Sequence, residues 1–360
     1  MNYIFVHGLS GWGSYDKTYR WIPYWGMFGG DLMKYLRKQG FPCYAASVAP
    51  EGSAWDRACE LYAQLTGTVV DYGKAHSERC GHKRFGRDFS RQPLIPNWQD
   101  GEKIVLLGHS FGGATVRLFS ELLTNGSEEE RAITEEHVLS ALFRGGQGDR
   151  LHAIVTLAAP TNGTTAYDLY DDPNFDPYAI KLSLRDRFWG NFFSNRKTAA
   201  SDGRLKEDYA AFDMHIDQAL ALNDRISPLP WTYYFAVPCV ASKAGEDGNH
   251  TPIRSIMEPM FCRSSLRMGS YTGSTVNGFV IGPEWRENDG LVNTVSAMAP
   301  MGAPSATYDP NRVRPGVWQV MPTYHGDHMS LQGGIMKTNN IRPFYLELLK
   351  MINSLPDKEM

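Results

Sequence analysis

The stretch Lys103–Ala114, KIVLLGHSFGGA, is an apolar run followed by G-x-S-x-G and then by small residues. It predicts a buried strand that passes through a sharp turn into a helix, with Ser110 at the turn. Such a turn lifts a hydroxyl clear of the backbone at the cost of strained φ/ψ angles, and Gly108 and Gly112 allow strand and helix to pack closely. The Phe111 amide would lie at the helix N-terminus, where unpaired N–H groups can stabilise an oxyanion. The alternative is a small-residue turn without chemistry.

Two downstream loops supply partners for this serine. Asp289 lies in a tight turn after a strand, and His328 lies in a loop that follows the last short strand. The chain order Ser110, Asp289, His328 is that of α/β-hydrolases and differs from the order in chymotrypsin-like and subtilisin-like proteases. His325 is the second candidate for the base, and Asp327 is interpreted as a loop carboxylate.

A second oxyanion donor is predicted near the start of the chain. The strand Tyr3–Val6 runs into the glycine-rich loop His7–Gly13, and such a loop after an early strand supplies an amide to the oxyanion hole in hydrolases with this kind of turn. The Leu9 amide is the candidate. A plain connection between strand and helix is the alternative.

Strand and helix patterns alternate along the chain, which predicts an α/β protein with a mostly parallel sheet. Strands are expected at 42–48, 103–108, 152–160, 231–237 and 317–321, and helices at 30–39, 115–123, 213–223 and 344–352. The strand at 152–160 shows no polar alternation, as expected for a strand buried on both faces. We expect a single domain over residues 1–360.

The composition of the chain limits the classes of substrate and partner that it can be expected to bind. A net charge of −3 gives no electrostatic basis for binding nucleic acid or an anionic membrane, so neutral substrates fit better. The five cysteines are odd in number and scattered, which argues against a disulfide framework, although one pair could be bridged. No apolar run approaches the roughly 20 residues that span a bilayer. Met1 is followed at once by a core strand, so no signal peptide is expected in this sequence, which fits an intracellular protein or a mature form.

The stretch from Trp55 to Phe85 carries residues that hydrolase chemistry does not need. His76 and His82 lie six residues apart, and Asp56 precedes them in a helical segment. Two imidazoles and a carboxylate suit tetrahedral zinc. Surface histidines without a metal are the alternative, and Cys80 is a competing ligand.

The region at about 164–202 interleaves aromatic residues with charges. In a lipolytic enzyme this is where a mobile cover over an apolar acyl pocket would lie. Ordinary core helices are the alternative.

Several segments together resemble the thermostable bacterial lipases of the Geobacillus type, family I.5, over nearly the whole chain. They are His7–Gly13, Tyr24–Gly26, Trp55–Glu60, Asp71–Gly73 with His76, Gly81–His82 with Arg84–Gly86, Gly163–Thr165, Glu287–Gly290 and Asp327–His328. The Trp-Asp-Arg-Ala-Cys-Glu and Asp-Tyr-Gly-x-x-His segments are not general features of hydrolases, which makes the resemblance specific. The resemblance implies a minimal α/β-hydrolase fold with a triad of Ser110, Asp289 and His328.

The resemblance also implies a structural zinc ion with four protein ligands. These are Asp56, His76, His82 and, in Phe212-Asp213-Met214, Asp213. The zinc-binding extra region would comprise residues 53–90 and about 205–225. The segment between Gly163 and Asp213 is shorter than in the thermophilic lipases, so a shortened lid at about 164–202 is expected.

Lipases of this family also bind calcium, but most positions of their calcium ligands carry other residues in this chain. Gly269 could match the glycine that offers its carbonyl oxygen, but Ser330 stands at the place of the glutamate, and Ile335 and Met336 stand at the place of an Asp-Pro pair. A hard cation without both carboxylates binds poorly, so no calcium is expected there.

The expected function is a serine carboxylic-ester hydrolase, either lipase or esterase, acting on acylglycerols, short esters or polyesters. Some similar enzymes of anaerobes hydrolyse aliphatic-aromatic polyesters. The resemblance implies a secreted protein with transient contact to a lipid interface and no transmembrane segment. Two other functions remain open: a hydrolase whose zinc is the catalytic metal, and a binding protein without activity on a hydrolase scaffold.

Overall fold

Seven parallel strands form the central sheet of the computed structural model, which describes residues 1–96, 98, 102–176, 180, 182–183 and 204–357. The strands are β1 (Asn2–Val6), β2 (Cys43–Ala46), β3 (Val69–Asp71), β4 (Phe85–Asp88), β5 (Ile104–His109), β6 (Leu151–Leu157), β7 (Tyr233–Val237), β8 (Cys239–Val240), β9 (Ser242–Ala244), β10 (His250–Pro252), β11 (Gly273–Ser274), β12 (Val280–Ile281), β13 (Ser305–Thr307), β14 (Trp318–Val320) and β15 (Tyr324–His325). The order across the central sheet is β13-β14-β7-β6-β5-β1-β2. The other strands form short two-stranded pairs.

Helices connect these strands and cover the sheet. They are α1 (Leu32–Lys38), α2 (Ala54–Thr66), α3 (Lys74–Cys80), α4 (Gly112–Asn125), α5 (Glu128–Ile133), α6 (Ala141–Arg144), α7 (Thr165–Asp168), α8 (Ala210–Asp213), α9 (Ile216–Arg225), α10 (Cys262–Ser270) and α11 (Arg342–Asn353). The helix predicted at 213–223 is two elements, α8 and α9, because the chain bends between them.

The central strands of the sheet are buried on both faces, and their alternate residues enter different cores, whereas the edge strand β13 is exposed. In β1, Ile4 and Val6 belong to the core beneath α2 and α4. Tyr3 and Phe5 belong to the opposite core, beneath α1 and α11. Because side chains alternate between the faces of a strand, the continuous apolar runs of β1, β5 and β6 are explained by burial on both sides. The predicted α/β-hydrolase fold is confirmed.

Helix α2 illustrates how local sequence sets an element. Ser53 begins it, since the serine hydroxyl accepts a hydrogen bond from the Asp56 amide at 3.2 Å, as an N-cap residue does. Gly67 ends it in the left-handed conformation, with φ of 65°, where a side chain would be strained. The cap at Ser53 places Asp56 in the first turn of the helix, where the aspartate is buried.

A small subdomain lies beside the sheet between α2 and β5. Helix α3 lies in the chain between β3 and β4, which pair in antiparallel fashion, and it packs against α5. This region carries His76 and His82. Most of the predicted lid, at about 164–202, lies outside the described residues.

All five cysteines fall in the described part of the chain, are buried, and form no disulfide. Among the described helices, each is too short or too polar to cross a bilayer.

Candidate active site and metal cluster

Ser110 occupies the tight turn between β5 and α4, which we call the elbow. Its φ of 54° is left-handed, a strained conformation for a residue with a side chain. A Cβ at Gly108 would collide with the backbone of Gly112, and one at Gly112 would collide with Val6. Only glycine allows this approach of strand, turn and helix. The structure therefore contains the strand-turn-helix arrangement predicted for this serine.

Three side chains form a hydrogen-bonded chain at this turn. His328 Nε2 lies 2.8 Å from Ser110 Oγ, and His328 Nδ1 lies 2.9 Å from Asp289 Oδ2. A carboxylate only accepts hydrogen bonds, so the proton sits on Nδ1 and the Nε2 lone pair faces the hydroxyl. The three residues are at most 6% exposed. This geometry suits removal of the serine proton by the imidazole.

The turn at Asp289 is fixed by its own backbone. Asp289 Oδ1 accepts hydrogen bonds from the amides of Leu291 at 2.9 Å and Val292 at 2.7 Å. Oδ2 is then left for the imidazole, and the His328 amide donates to the Asp289 carbonyl oxygen at 3.0 Å. Acid and base are thus joined through both backbone and side chain.

The two runner-up residues lie elsewhere. His325 is exposed on β15. Asp327 is buried, and its carboxylate accepts hydrogen bonds from the amides of Glu258 and Met329 and from the Ser330 hydroxyl. Burial raises the pKa of Asp327 to about 7, and the nearby carboxylate of Glu258 adds to the effect. Asp327 therefore stabilises the loop that carries His328.

The candidate oxyanion amides flank the hydroxyl. A Cβ at Gly8 would collide with Ser110 Cβ, so the loop of Leu9 passes directly over the nucleophile. Phe111 directly precedes α4. Within the described part of the chain, neither the Leu9 nor the Phe111 amide donates a hydrogen bond to a protein acceptor. Both amides are available to a ligand oxygen.

A buried polar network lies behind the triad. The Tyr24 hydroxyl accepts a hydrogen bond from the Gly8 amide at 2.9 Å and lies 2.8 Å from His109 Nδ1. Gln332 Nε2 donates to the same hydroxyl at 2.7 Å. Burial, together with the positive charge that His328 can carry, holds the pKa of His109 well below its usual range, so His109 is neutral and its Nε2–H donates to the His328 carbonyl oxygen. Sequence reasoning did not identify this network, because it joins four separate segments.

Arg57 holds the segment that leads from β1 into the loop of Leu9. This fully buried guanidinium donates to the His7 carbonyl oxygen and to Thr115 Oγ1, the latter at 2.8 Å. Burial lowers its pKa to about 10, so it remains charged near neutral pH. Arg57 therefore ties α2 to the segment that leads into Leu9.

Ser110 and His328 lie at the floor of a cavity of about 520 Å³. Its walls are mainly apolar and include Met27, Tyr167, Met214, Met260, Phe261 and Leu291. The cavity falls in the size range of small-molecule sites. An apolar acyl group would be accommodated beside the serine.

A separate cluster of metal-ligating side chains lies in the small subdomain. Asp56, His76, His82 and Asp208 place one ligand atom each within 4.8 Å of one another. His76 Nε2 lies 3.1 Å from Asp56 Oδ1 and 3.2 Å from Asp208 Oδ1. Ligands at about 2.0–2.2 Å from a tetrahedral zinc ion are about 3.3–3.6 Å apart. The cluster has the dimensions of a metal site.

Details of the two imidazoles also fit a metal. His82 Nδ1 lies 2.9 Å from the Lys83 carbonyl oxygen, to which it donates, which leaves the Nε2 lone pair directed at the cluster. That Nε2 atom is buried and has no hydrogen-bond partner among the described residues. The His76 ring stacks on Trp55, with centroids 5.1 Å apart. Cys80 contacts His76 Nδ1, on the side of the ring away from the cluster, and is not part of it.

The prediction of Asp213 as the fourth ligand is wrong in this structure. Asp213 Oδ2 instead accepts a hydrogen bond from the Ala54 amide at 2.7 Å, and Asp208 takes the fourth position. Both aspartates lie in one short segment, five residues apart, and the letters alone do not distinguish them. Asp208 lies in a 3₁₀ turn that directs its carboxylate to the histidines.

Arg204 approaches the same carboxylates. Its Nη2 lies 2.5 Å from Asp56 Oδ2 and 2.5 Å from Asp208 Oδ2. A guanidinium here stabilises two buried negative charges, and it would share these carboxylates with a bound metal.

The positions considered for calcium have other partners. Ser330 Oγ donates to Asp327. Ile335 and Met336 direct backbone N–H groups, which cannot bind a cation, at the Glu258 carboxylate. Gly269 lies within α10. The expectation that no calcium binds here stays a prediction.

The parallel sheet and the strained serine turn define an α/β-hydrolase fold, and Ser110, His328 and Asp289 have the geometry of a serine-hydrolase triad. The family model described as "Lipase-like, C-terminal domain" matches residues 1–197 and 194–350. The chain belongs to this lipase-like family. Curated relatives include Lipase 2 of Staphylococcus aureus, 34% identical over 357 residues, and a lipase of Staphylococcus hyicus, 32% identical over 354 residues. Each alignment covers 92% of this chain but only 50% and 53% of the relative, so the chain spans about half the length of these curated relatives.

Solved structures resemble nearly the whole chain. EstA from Clostridium botulinum has a TM-score of 0.83 at 28% identity, covering 99% of this chain and 88% of that one. Lipase 1 from Pelosinus fermentans has a TM-score of 0.78 at 30% identity, covering 99% of both chains. The sequence-based assignment to a bacterial lipase family is confirmed.

Proposed function

We propose that this protein is a serine carboxylic-ester hydrolase, a lipase or esterase, that acts on acylglycerols and other hydrophobic esters. The observation that carries the proposal is the hydrogen-bonded chain from Ser110 through His328 to Asp289 at the floor of an apolar cavity. Its membership of the lipase-like family supports the same chemistry.

The proposed reaction has two half-reactions. His328 Nε2 takes the Ser110 proton while the hydroxyl oxygen attacks the ester carbonyl carbon, and Asp289 stabilises the imidazolium that forms. The Leu9 and Phe111 amides donate to the oxyanion. His328 then protonates the leaving alkoxide, which departs as the alcohol. Water, activated by the same imidazole, attacks the acyl-enzyme and releases the carboxylic acid.

We assign a structural zinc ion to the cluster of Asp56, His76, His82 and Asp208. Two carboxylates and two neutral imidazoles are a suitable zinc donor set. When bound, the metal would join α2, α3 and the segment at Asp208. Since four protein ligands complete a tetrahedral shell, no position is left for a substrate. None of the four residues lines the cavity at Ser110, as far as the described residues define it.

Active-site labelling tests the proposal. A fluorophosphonate probe should label the wild-type protein, and Ser110→Ala should remove both labelling and turnover of p-nitrophenyl butyrate. The matched control is Ser120→Ala, on α4 beyond the elbow, where the hydroxyl bonds only to a backbone carbonyl oxygen. Wild-type protein that is folded but neither labelled nor active would refute the proposal and favour a binding protein.

The same assay separates serine from metal catalysis. Zinc removal with a chelator, at a temperature where the protein stays folded, should leave probe labelling in place. Ester turnover that persists in Ser110→Ala and disappears with the metal would establish the alternative of a catalytic zinc.

Polyesters are a further proposed substrate class, because the triad lies beneath an apolar cavity rather than a polar one. Release of terephthalate or adipate from an aliphatic-aromatic polyester film is the expected result. No release, alongside high activity on p-nitrophenyl butyrate, would exclude this class.

We also propose an extracellular location, on the basis of the resemblance to secreted bacterial lipases, and contact with lipid interfaces during turnover. Antibody detection in the culture medium of the source organism would support the location. Detection in the cell lysate alone would refute it.

A further inference from the structure

The loop that follows the catalytic histidine forms part of the cavity wall. Met329, Gln332 and Ile335 line the cavity, and His328 itself begins the loop. A single 3₁₀ turn at Ser330–Gln332 is its only regular element before α11 begins at Arg342. Contacts from outside the loop therefore help to set its position.

One buried side chain makes three of these contacts. Glu258 is 1% exposed, and its Oε1 accepts hydrogen bonds from the amides of Ile335, Met336 and Lys337 at 2.7, 2.7 and 2.8 Å. Successive N–H groups that converge on one point form an anion-binding concavity. Here the anion is a carboxylate of the chain itself.

The backbone of the same residue holds the other end of the loop. The Glu258 amide donates to Asp327 Oδ2 at 2.6 Å, while Asp327 Oδ1 accepts from the Met329 amide at 3.0 Å and from Ser330 Oγ at 2.9 Å. Glu258 thus contacts the loop just before His328 and again at Ile335–Lys337. Rotation or outward movement of the loop would break at least one of these sets of bonds.

The segment that bears Glu258 also contacts the turn of the triad acid. A Cβ at Gly290 would collide with Phe261 and touch the end of Met257, and the Phe261 ring packs edge-on against the His328 ring at 6.2 Å. The segment at 257–261 therefore lies between the Asp289 turn and the loop of the base. Its position fixes one relative to the other.

We propose that Glu258 is a positioning residue for ester hydrolysis: its carboxylate, held by three successive amides, fixes the loop of His328 relative to Ser110 and Asp289. This inference depends on the proposed function through Ser110. Glu258 touches no reacting atom and acts through the loop. A negative charge is required, because charge-assisted hydrogen bonds are roughly twice as strong as neutral ones.

Substitution of Glu258 should lower the turnover number of each correctly folded active site. Glu258→Gln keeps the shape of the side chain but loses the charge, and its amide group would stand where Oε2 has no hydrogen-bond partner among the described residues. We expect kcat for p-nitrophenyl butyrate to fall about 10- to 100-fold, since a misplacement of about 1 Å can cost 100-fold, while KM changes much less. Glu258→Asp, which keeps the charge on a shorter arm, should recover part of the loss. Glu347→Gln, at an exposed glutamate paired with Lys350, is the matched control.

Titration with a fluorophosphonate separates positioning from folding. Activity is expressed per titratable Ser110, so a variant that only misfolds keeps a normal kcat per labelled site. Normal kcat per site in Glu258→Gln, or equal loss in Glu258→Gln and Glu258→Asp, would overturn the inference. If wild-type protein shows neither labelling nor turnover, the proposed function itself fails, and the two failures are distinguished.

Discussion

The Nε2 atom of His109, the residue before the nucleophile, lies 2.9 Å from the backbone carbonyl oxygen of His328, the residue that supplies the base. The elbow and the loop of His328 are therefore joined by two hydrogen bonds, one from His109 to the His328 backbone and one between the Ser110 and His328 side chains. Tyr24 extends this connection to the Gly8 amide, next to the proposed oxyanion donor Leu9.

Replacing Tyr24 with phenylalanine should impair catalysis through this connection. The Gly8 amide would lose its acceptor, and an unsatisfied buried donor costs about 1–3 kcal/mol. We expect a lower kcat with a smaller change in KM, and a lower Tm. Tyr19→Phe, which removes a hydroxyl bonded to Asp31 away from the cavity, is the control. Equal kcat in the two variants would contradict the role of Tyr24.

Asp289→Asn should abolish most activity. An asparagine cannot stabilise the imidazolium and favours the wrong tautomer, and a loss of about 10⁴ in kcat is known for this change in another triad enzyme. Asp327→Asn should cost far less, because Asp327 bonds to the loop and not to the imidazole. A greater loss in Asp327→Asn would reverse the assignment of the acid.

Asp327 should also give stability a dependence on pH. Burial raises its folded pKa to about 7 from an unfolded value near 4, so between these values the folded state binds more protons than the unfolded state. The free energy of unfolding should therefore fall as pH rises from about 4 to 7, by at most about 1.4 kcal/mol per unit from this group. The difference between wild type and Asp327→Asn in urea unfolding isolates the effect. A flat difference over this range would contradict it.

Zinc should stabilise the protein through Asp208 and not through Asp213. A ligand bound only by the folded state at 100 times its Kd adds about 2.7 kcal/mol. We expect Tm to rise with zinc in wild type and in Asp213→Asn, and the rise to be lost in Asp208→Asn. The opposite result for the two aspartates would restore the ligand assignment made from sequence.

Arg204 should weaken metal binding. Its guanidinium occupies carboxylate oxygens that a metal would use, so Arg204→Gln should raise zinc affinity by about tenfold, the worth of one charge-assisted hydrogen bond. Competition with a chromogenic chelator measures the change. Arg79→Gln removes an exposed pair with Glu129 and serves as control. Unchanged affinity in Arg204→Gln would contradict the competition.

Local signals in the sequence were sufficient for the elbow. Ser110 follows a strand and precedes a helix within a dozen residues, and the collisions at Gly108 and Gly112 explain why the motif contains glycine. The fold class followed from alternating strands and helices. Boundaries were less exact: the strand predicted at 152–160 ends at Leu157.

The parts that sequence did not predict depend on distant segments. Asp208 is separated from His76 by more than a hundred residues, so its role depends on the path of the chain between them. The contact of Glu258 with Ile335–Lys337 uses backbone amides, which have no residue signature at all. Strand β4 is exposed along its length and β3 is three residues long, so neither shows a clear apolar alternation.

Two adjacent residues of α2, Asp56 and Arg57, contact two different sites of the protein. Asp56 belongs to the buried metal cluster, and Arg57 donates to the carbonyl oxygen of His7, in the segment that leads into Leu9. Under the proposed function, substitutions in the metal cluster that shift α2 would also shift Arg57, which contacts the segment that leads into the proposed oxyanion donor Leu9. A variant of the metal cluster that raises Tm should therefore also be assayed for kcat.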